Sequence, residues 1–129
     1  MPATTVEVLR NYTRDEEVAI LEAVQAALVK GIKIPEGDRT VRLIVHEPHR
    51  FIVPPDKDDR YTMISIDLFH GRSIDAKRNL YQAIVNNLEP LGIPRDHVKV
   101  VLREATAENW GIRGGQAASD VDIGFKVDV

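Results

Sequence analysis

The feature that most constrains this chain is an internal duplication. Val6 and Val8 match Ile66 and Leu68 at an offset of 60 (66 − 6), and Asp15 matches Asp75 at the same offset. Pro35 matches Pro94 at 59 and Asp38 matches Asp96 at 58. Val41-Arg42-Leu43-Ile44-Val45-His46-Glu47 lies over Val98-Lys99-Val100-Val101-Leu102-Arg103-Glu104 at 57. The drift of three residues (60 − 57) falls in loops. A repeat of this kind means one supersecondary unit used twice, each copy completing the core of the other.

Periodicity identifies the unit. Thr4–Leu9 alternates apolar and polar residues, which suits a strand with one buried face. Thr13 and Glu16 have capping-box spacing. Val18, Leu21, Val24 and Leu28 then form a helical stripe to about Lys30, which Gly31 and Pro35 are expected to stop. Val41–Glu47 is the second strand. Residues 48–60 hold Pro48, Pro54 and Pro55 and read as a loop. The second copy runs through a strand at Met63–Phe69, a helix capped by Ser73 and carrying Leu80, Tyr81, Ile84, Val85 and Leu88, and a strand at Val98–Glu104. Pro90, Gly92 and Pro94 stop that helix. A glycine-rich run, Trp110–Gly115, leads to a short apolar segment, Val121–Val129.

Each unit is therefore β-α-β, with parallel strands and a right-handed crossover. Two units give a four-stranded sheet with two helices on one face, in one domain over 1–129 with pseudo-repeats 1–60 and 61–129. The other sheet face carries apolar side chains, and oligomerisation is the simplest cover for it.

Composition excludes several function classes. The formal charge is −3 (17 − 20) and the pI is about 5.8, which argues against a nucleic-acid partner. No apolar run approaches the roughly 20 residues of a membrane span, and the start has neither a basic nor an apolar leader region. With no cysteine there is no disulfide, thiolate nucleophile or Cys-based metal site. A cytoplasmic setting follows as an expectation. His46-Glu47-Pro48-His49 does not read as a metal site, because strand neighbours face opposite ways and no third ligand is spaced for it. Gly111–Gly115 lacks the lysine and the spacing of a nucleotide loop.

Three motifs in order on this duplicated frame carry a family resemblance: Met1-Pro2 before a strand, Leu68-Phe69-His70-Gly71-Arg72-Ser73 at a strand-to-helix corner, and Asn109-Trp110-Gly111-Ile112-Arg113-Gly114-Gly115. They resemble the tautomerase superfamily over essentially the whole chain. The corner and the glycine-rich tail are similar to those of 4-oxalocrotonate tautomerase. The doubled length and Ile34–Arg39 are more similar to the malonate semialdehyde decarboxylase branch. The resemblance implies an α+β tautomerase fold with a mixed sheet, a cofactor-independent keto-enol isomerase acting on a small anionic 2-oxo acid, and a homo-oligomer, usually a trimer.

It also implies roles for named residues. Pro2, freed by removal of Met1, would be the catalytic amine. A prolyl amine acts as a base at neutral pH only where apolar surroundings or nearby cations disfavour its charged form. Arg72 would grip the carboxylate, and its place before a helix N-terminus, which does not favour cations, supports a ligand role. Asp38 matches the aspartate of the decarboxylase branch, although Pro35-Glu36-Gly37-Asp38 is equally good turn chemistry. His70, which would hydrogen-bond the substrate or add a cation, or else sit solvated in its loop, stands where that branch tends to have an arginine, and Ile112, which would close the pocket with Trp110, where it often has an aromatic. Both departures lean toward a simple tautomerase. Arg42 would bind substrate, its own or a neighbour's, or face solvent. Trp110 would exclude water from the pocket or serve as packing. Arg113 is an unassigned cation. Two alternatives stay open. One is a decarboxylase-like or haloacrylate hydratase-like enzyme using cationic Pro2 with Asp38. The other is a non-enzymatic oligomeric binding protein.

Overall fold

In the computed structural model, which describes residues 1–129, two helices lie on one face of a four-stranded mixed sheet. The elements are β1 (Ala3–Val8), α1 (Arg14–Ile32), β2 (Val41–Val45), β3 (Thr62–Phe69), α2 (Ile74–Leu88) and β4 (Val98–Ala105). Strand order is β2-β1-β3-β4. Strand pairs within a unit are parallel, β1 with β2 and β3 with β4, while β1 and β3 join the units antiparallel. The expected duplication is thus realised as a pseudo-twofold arrangement about the β1–β3 seam.

Local chemistry explains the boundaries. Thr13 accepts from the Glu16 amide (3.2 Å) and Glu16 accepts from the Thr13 amide (2.8 Å), closing the capping box. Ser73 caps α2 by accepting from the Ala76 amide (3.1 Å). Alternate residues of the central strands, Val6, Val8, Ile64, Ile66 and Leu68, are fully buried against Ile20, Val24, Leu28, Leu80, Ile84 and Leu88 of the helices.

Several expectations need correction. Gly31 does not stop α1, which continues to Ile32 and is capped by Lys33 in the left-handed conformation. The buried stripe of α1 is centred on Ile20, Val24, Ala27 and Leu28, so Val18 is half exposed at 52%. The second strand stops at Val45, because Pro48 begins a 3-10 turn, while the third and fourth each gain a residue at Thr62 and Ala105. The glycine-rich run is not loose. Gly111–Ile112 (β5) pairs antiparallel with Gln116–Ala117 (β6) in a small hairpin. The open face of the sheet is more polar than expected. Ile44 and Val101 share it with Glu7, Arg42, Asp67, Lys99 and Arg103, and Arg103 Nε donates to Asp67 (2.8 Å).

Candidate active site

Sheet topology alone brings three distant segments to the N-terminus. The antiparallel register sets Ala3 beside Asp67, so the start of β1 lies where β3 runs on into Phe69-His70-Gly71-Arg72. The parallel register sets Thr4 beside Val41, and the Thr4 amide donates to the Thr40 carbonyl (2.9 Å). The turn before β2 therefore abuts the chain start, and the Asp38 amide donates to the Pro35 carbonyl (3.0 Å) in that turn.

The α-ammonium of Met1 lies 3.5 Å from Asp38 Oδ2. Pro2 is buried behind it. Bond geometry keeps the Pro2 nitrogen within about 3.5 Å of the Met1 nitrogen, hence near Asp38 as well. Burial pushes the terminal amine below its ordinary value; Asp38 opposes this and Arg72 adds to it. While Met1 is attached, the Pro2 nitrogen is an amide and cannot accept a proton.

Arg72 is only 6% exposed. One of its nitrogens, Nη1, donates to the Phe69 carbonyl (3.3 Å), whereas Nε and Nη2 have no partner. A buried guanidinium with two idle donors is costly unless an anion completes it. Burial draws its pKa down, against the pull of Glu104 and Asp38, but a guanidinium stays charged at neutral pH.

A hollow of about 240 Å³ opens beside Met1, lined by Met1, Pro35, Gly37, Asp38, Arg113, Ile123 and Phe125; Arg72 and Pro2 lie outside that lining. The C-terminal segment forms one wall. It returns to the corner of β3 and α2, where the Val129 carbonyl accepts from the Ser73 amide (3.0 Å).

The other candidates stand apart within one chain. Trp110 meets Phe69 edge-to-face with centroids 5.0 Å apart, and its indole N–H is buried without a partner. Ile112 is half-buried in the hairpin. His70 is 72% exposed and turns to Glu104 (3.8 Å). Arg42 lies on the open sheet face and donates to Thr5 Oγ1 (2.7 Å).

Residues not anticipated from the sequence also shape the site. Gln25, buried on α1, donates from Nε2 to the Asp38 carbonyl (3.0 Å) and anchors that turn. A glutamine inside the apolar stripe was the available signal. Glu104 accepts from Lys77 (2.7 Å), which holds its carboxyl below the usual range. Nothing in the sequence marked Ile123 and Phe125 as pocket residues, because the return of the tail is a long-range event.

Comparison with known proteins agrees with this geometry. Residues 38–113 match the Tautomerase_2 family model, described as a tautomerase enzyme. This chain belongs to the tautomerase family. A probable tautomerase of Ralstonia nicotianae (strain ATCC BAA-1114 / GMI1000) is 34% identical over 53 residues, 40% of this chain and 76% of that protein. Among solved structures, FG41 malonate semialdehyde decarboxylase inhibited by 3-bromopropiolate is 26% identical, with 94% of this chain and 98% of that one covered and a TM-score of 0.78. A fused 4-OT solved as a symmetric trimer is also 26% identical, covering 91% and 96%, with a TM-score of 0.77. The tautomerase fold expected from the three motifs is therefore the fold observed.

Proposed function

We propose that this tautomerase-family chain interconverts enol and keto forms of a small 2-oxo acid, with the Pro2 amine, freed of Met1, as general base. The observation that carries the reading is the convergence of a buried chain start and a buried arginine with two unpartnered donors. Pro2 takes a proton α to the carbonyl and returns it at the other end of the conjugated system. Arg72 holds the carboxylate and steadies the enolate charge. Trp110 and Ile112 do not line the hollow of one chain, so a part for them in closing the pocket, like that of His70 and Arg42, rests on the assembly. No cofactor takes part. His70 and Arg42 stand outside the hollow of one chain, so a role for either rests on a neighbouring subunit. The family likeness to a trimeric fused 4-OT supports a trimer here.

A specific observation favours a second reading. Asp38, 3.5 Å from the terminal ammonium, stabilises the protonated amine. A cationic Pro2 with Asp38 to activate water suits hydration or decarboxylation, and likeness to a malonate semialdehyde decarboxylase supports it. The buried surroundings of Pro2 work against a charged amine, so the base reading leads.

The deciding experiment is intact mass followed by NMR titration of the N-terminal amine. Loss of Met1, with Pro2 titrating below the ordinary α-amine range of about 7.7–8.0, is the expected result. Pro2→Ala should then lower 2-oxo acid tautomerisation by about a hundredfold or more. Titration above that range moves the Asp38 reading ahead. A retained Met1, or a Pro2→Ala variant with unchanged turnover, removes both proline mechanisms and leaves the binding-protein reading.

A further inference from the structure

Gln25 is a polar residue where the helical pattern calls for an apolar one. It stands among Ile20, Val24, Ala27 and Leu28 on the buried stripe of α1 and is only 4% exposed. Its Nε2 donates to the Asp38 backbone carbonyl (3.0 Å), while its Oε1 is buried without a partner. An apolar side chain of the same length would fill this place and leave no acceptor unpaired, so packing alone does not account for a glutamine. What the amide adds is a tie between α1 and the turn that brings an acid to the chain start.

That turn needs a tie. Asp38 Oδ2 lies 3.5 Å from the α-ammonium and has no hydrogen-bond partner. Inside the turn the Asp38 amide donates to the Pro35 carbonyl (3.0 Å), and beyond it the Thr4 amide donates to the Thr40 carbonyl (2.9 Å). Arg39 also pairs with Glu22 of α1, but both side chains are exposed, and exposed pairs hold weakly. The buried Gln25 bond is therefore what joins Asp38 itself to a rigid helix. The attraction between two charges falls with their separation, and a drift that admits water between them removes most of it. The other charged groups near the amine are Arg72, from the corner of β3 and α2, and Arg113, from the β5–β6 hairpin. Both are cations, so the acid at the amine is Asp38 alone.

We propose that Gln25 is a positioning residue for the terminal amine: through the Asp38 carbonyl it holds the Asp38 carboxylate against the chain start, and so governs whether the amine waits charged or neutral. This deepens the proline-amine reading and rests on it for what the amine does to a substrate. The positioning itself does not depend on turnover. Gln25 touches neither the amine nor the hollow, and acts only through the turn. With the tie in place Asp38 favours the ammonium. Without it, burial and the two arginines act on the amine unopposed.

NMR titration of the terminal amine in the full chain reads the effect, on whichever residue carries that amine. Asp38→Asn sets the scale: its midpoint should fall, because the acid that favoured the ammonium is gone. Gln25→Met keeps the side-chain length and removes the donor. It should lower the midpoint by at least about half of the Asp38→Asn shift, and by nothing further in an Asp38→Asn background. Gln25→Asn keeps an amide that is one methylene too short to reach, and should behave like Gln25→Met, which guards against a folding defect in either variant. Glu22→Gln breaks only the exposed tie and should leave the amine where it was. A merely structural glutamine would move the thermal midpoint and not the titration. A parent-like midpoint in folded Gln25→Met and Gln25→Asn, a shift that persists undiminished without the Asp38 carboxylate, or an equal shift from Glu22→Gln overturns the proposal. Unchanged turnover in Pro2→Ala would remove the catalytic reading and leave this titration result standing on its own.

Discussion

Gly31 shows how much one missing side chain can decide. It lies where α1 packs against α2, and a Cβ built there would stand 2.6 Å from the Leu80 Cα, a backbone atom that cannot step aside. Gly31→Ala gains up to about 1 kcal/mol in helix propensity but forces the helices apart, at roughly 1–3 kcal/mol. The expected net result is a lower midpoint in thermal or urea unfolding. Gly111→Ala, where a Cβ meets nothing within 4 Å, should stay within about 0.5 kcal/mol of the parent. A Gly31→Ala chain as stable as the parent would show that the helices are not in close contact at this point. In the sequence Gly31 reads as a stop, since glycine after an apolar stripe is usually a C-cap. The requirement for close approach comes from Leu80, 49 residues away (80 − 31), and no local pattern announces it. Asp38 and Asp96 make the same point. They occupy matching places in the repeat, yet Asp38 faces the chain start while Asp96 bonds His97 Nδ1 (2.9 Å) and Lys57 (3.3 Å).

At the scale of elements, acid sensitivity can be assigned to particular ties. Lys77 of α2 holds Glu104 of β4, and the Gly71 amide adds to it, so the Glu104 carboxyl lies below its ordinary value. Arg60 does the same for Asp58, whose carboxylate also stands 3.2 Å from the buried His97 and straps the proline-rich loop to the turn before β4. For a depressed carboxylate, the folded state binds the proton less readily than the unfolded chain. The stabilisation is complete above the unfolded pKa, roughly 4.3 for glutamate, and is lost as pH falls through the folded one. Unfolding followed between about pH 6 and pH 2.5 should therefore show the parent losing stability more steeply than Glu104→Gln, with the two curves converging at the acid end. Parallel curves would mean that the Lys77 tie is too solvated to matter, as many surface pairs are. The four strands and two helices were legible in the sequence because each repeats its period and carries its own cap. The β5–β6 hairpin was not, because two-residue strands have no period to read. The tail is held by its Val129 carbonyl on the Ser73 amide, by its Asp122 carbonyl on Arg113 and by Phe125 packing on the core, and none of these leaves a local signature.

For the whole molecule, the remaining problem is the sheet face that no helix covers. It presents Ile44 at 44% and Val101 at 37% exposure among Glu7, Arg42, Asp67, Lys99 and Arg103. Apolar residues set within a charged lattice suit an interface that must exclude water and fix register together. Both ends of the sheet, β2 and β4, also keep a free edge able to pair with another chain. A symmetric closed assembly covers the face and both edges at once, whereas a face-to-face dimer leaves the edges bare. For the trimer proposed above, the expected mass in sedimentation is about 43.5 kDa (3 × 14.5). The double variant Ile44→Glu, Val101→Lys sets like charges beside Glu7 and between Lys99 and Arg103. It should weaken association by at least about tenfold while leaving the helix-side core untouched. A parent chain that sediments at 14.5 kDa across the micromolar range would rule the assembly out. Met1, Asp38 and Arg113 line the hollow within one chain, so binding of a small 2-oxo acid there should survive dissociation in the double variant. Loss of turnover with binding retained would then point to a residue delivered from a neighbour. Arg42, already on the open face and bonded only to Thr5, is the first to test.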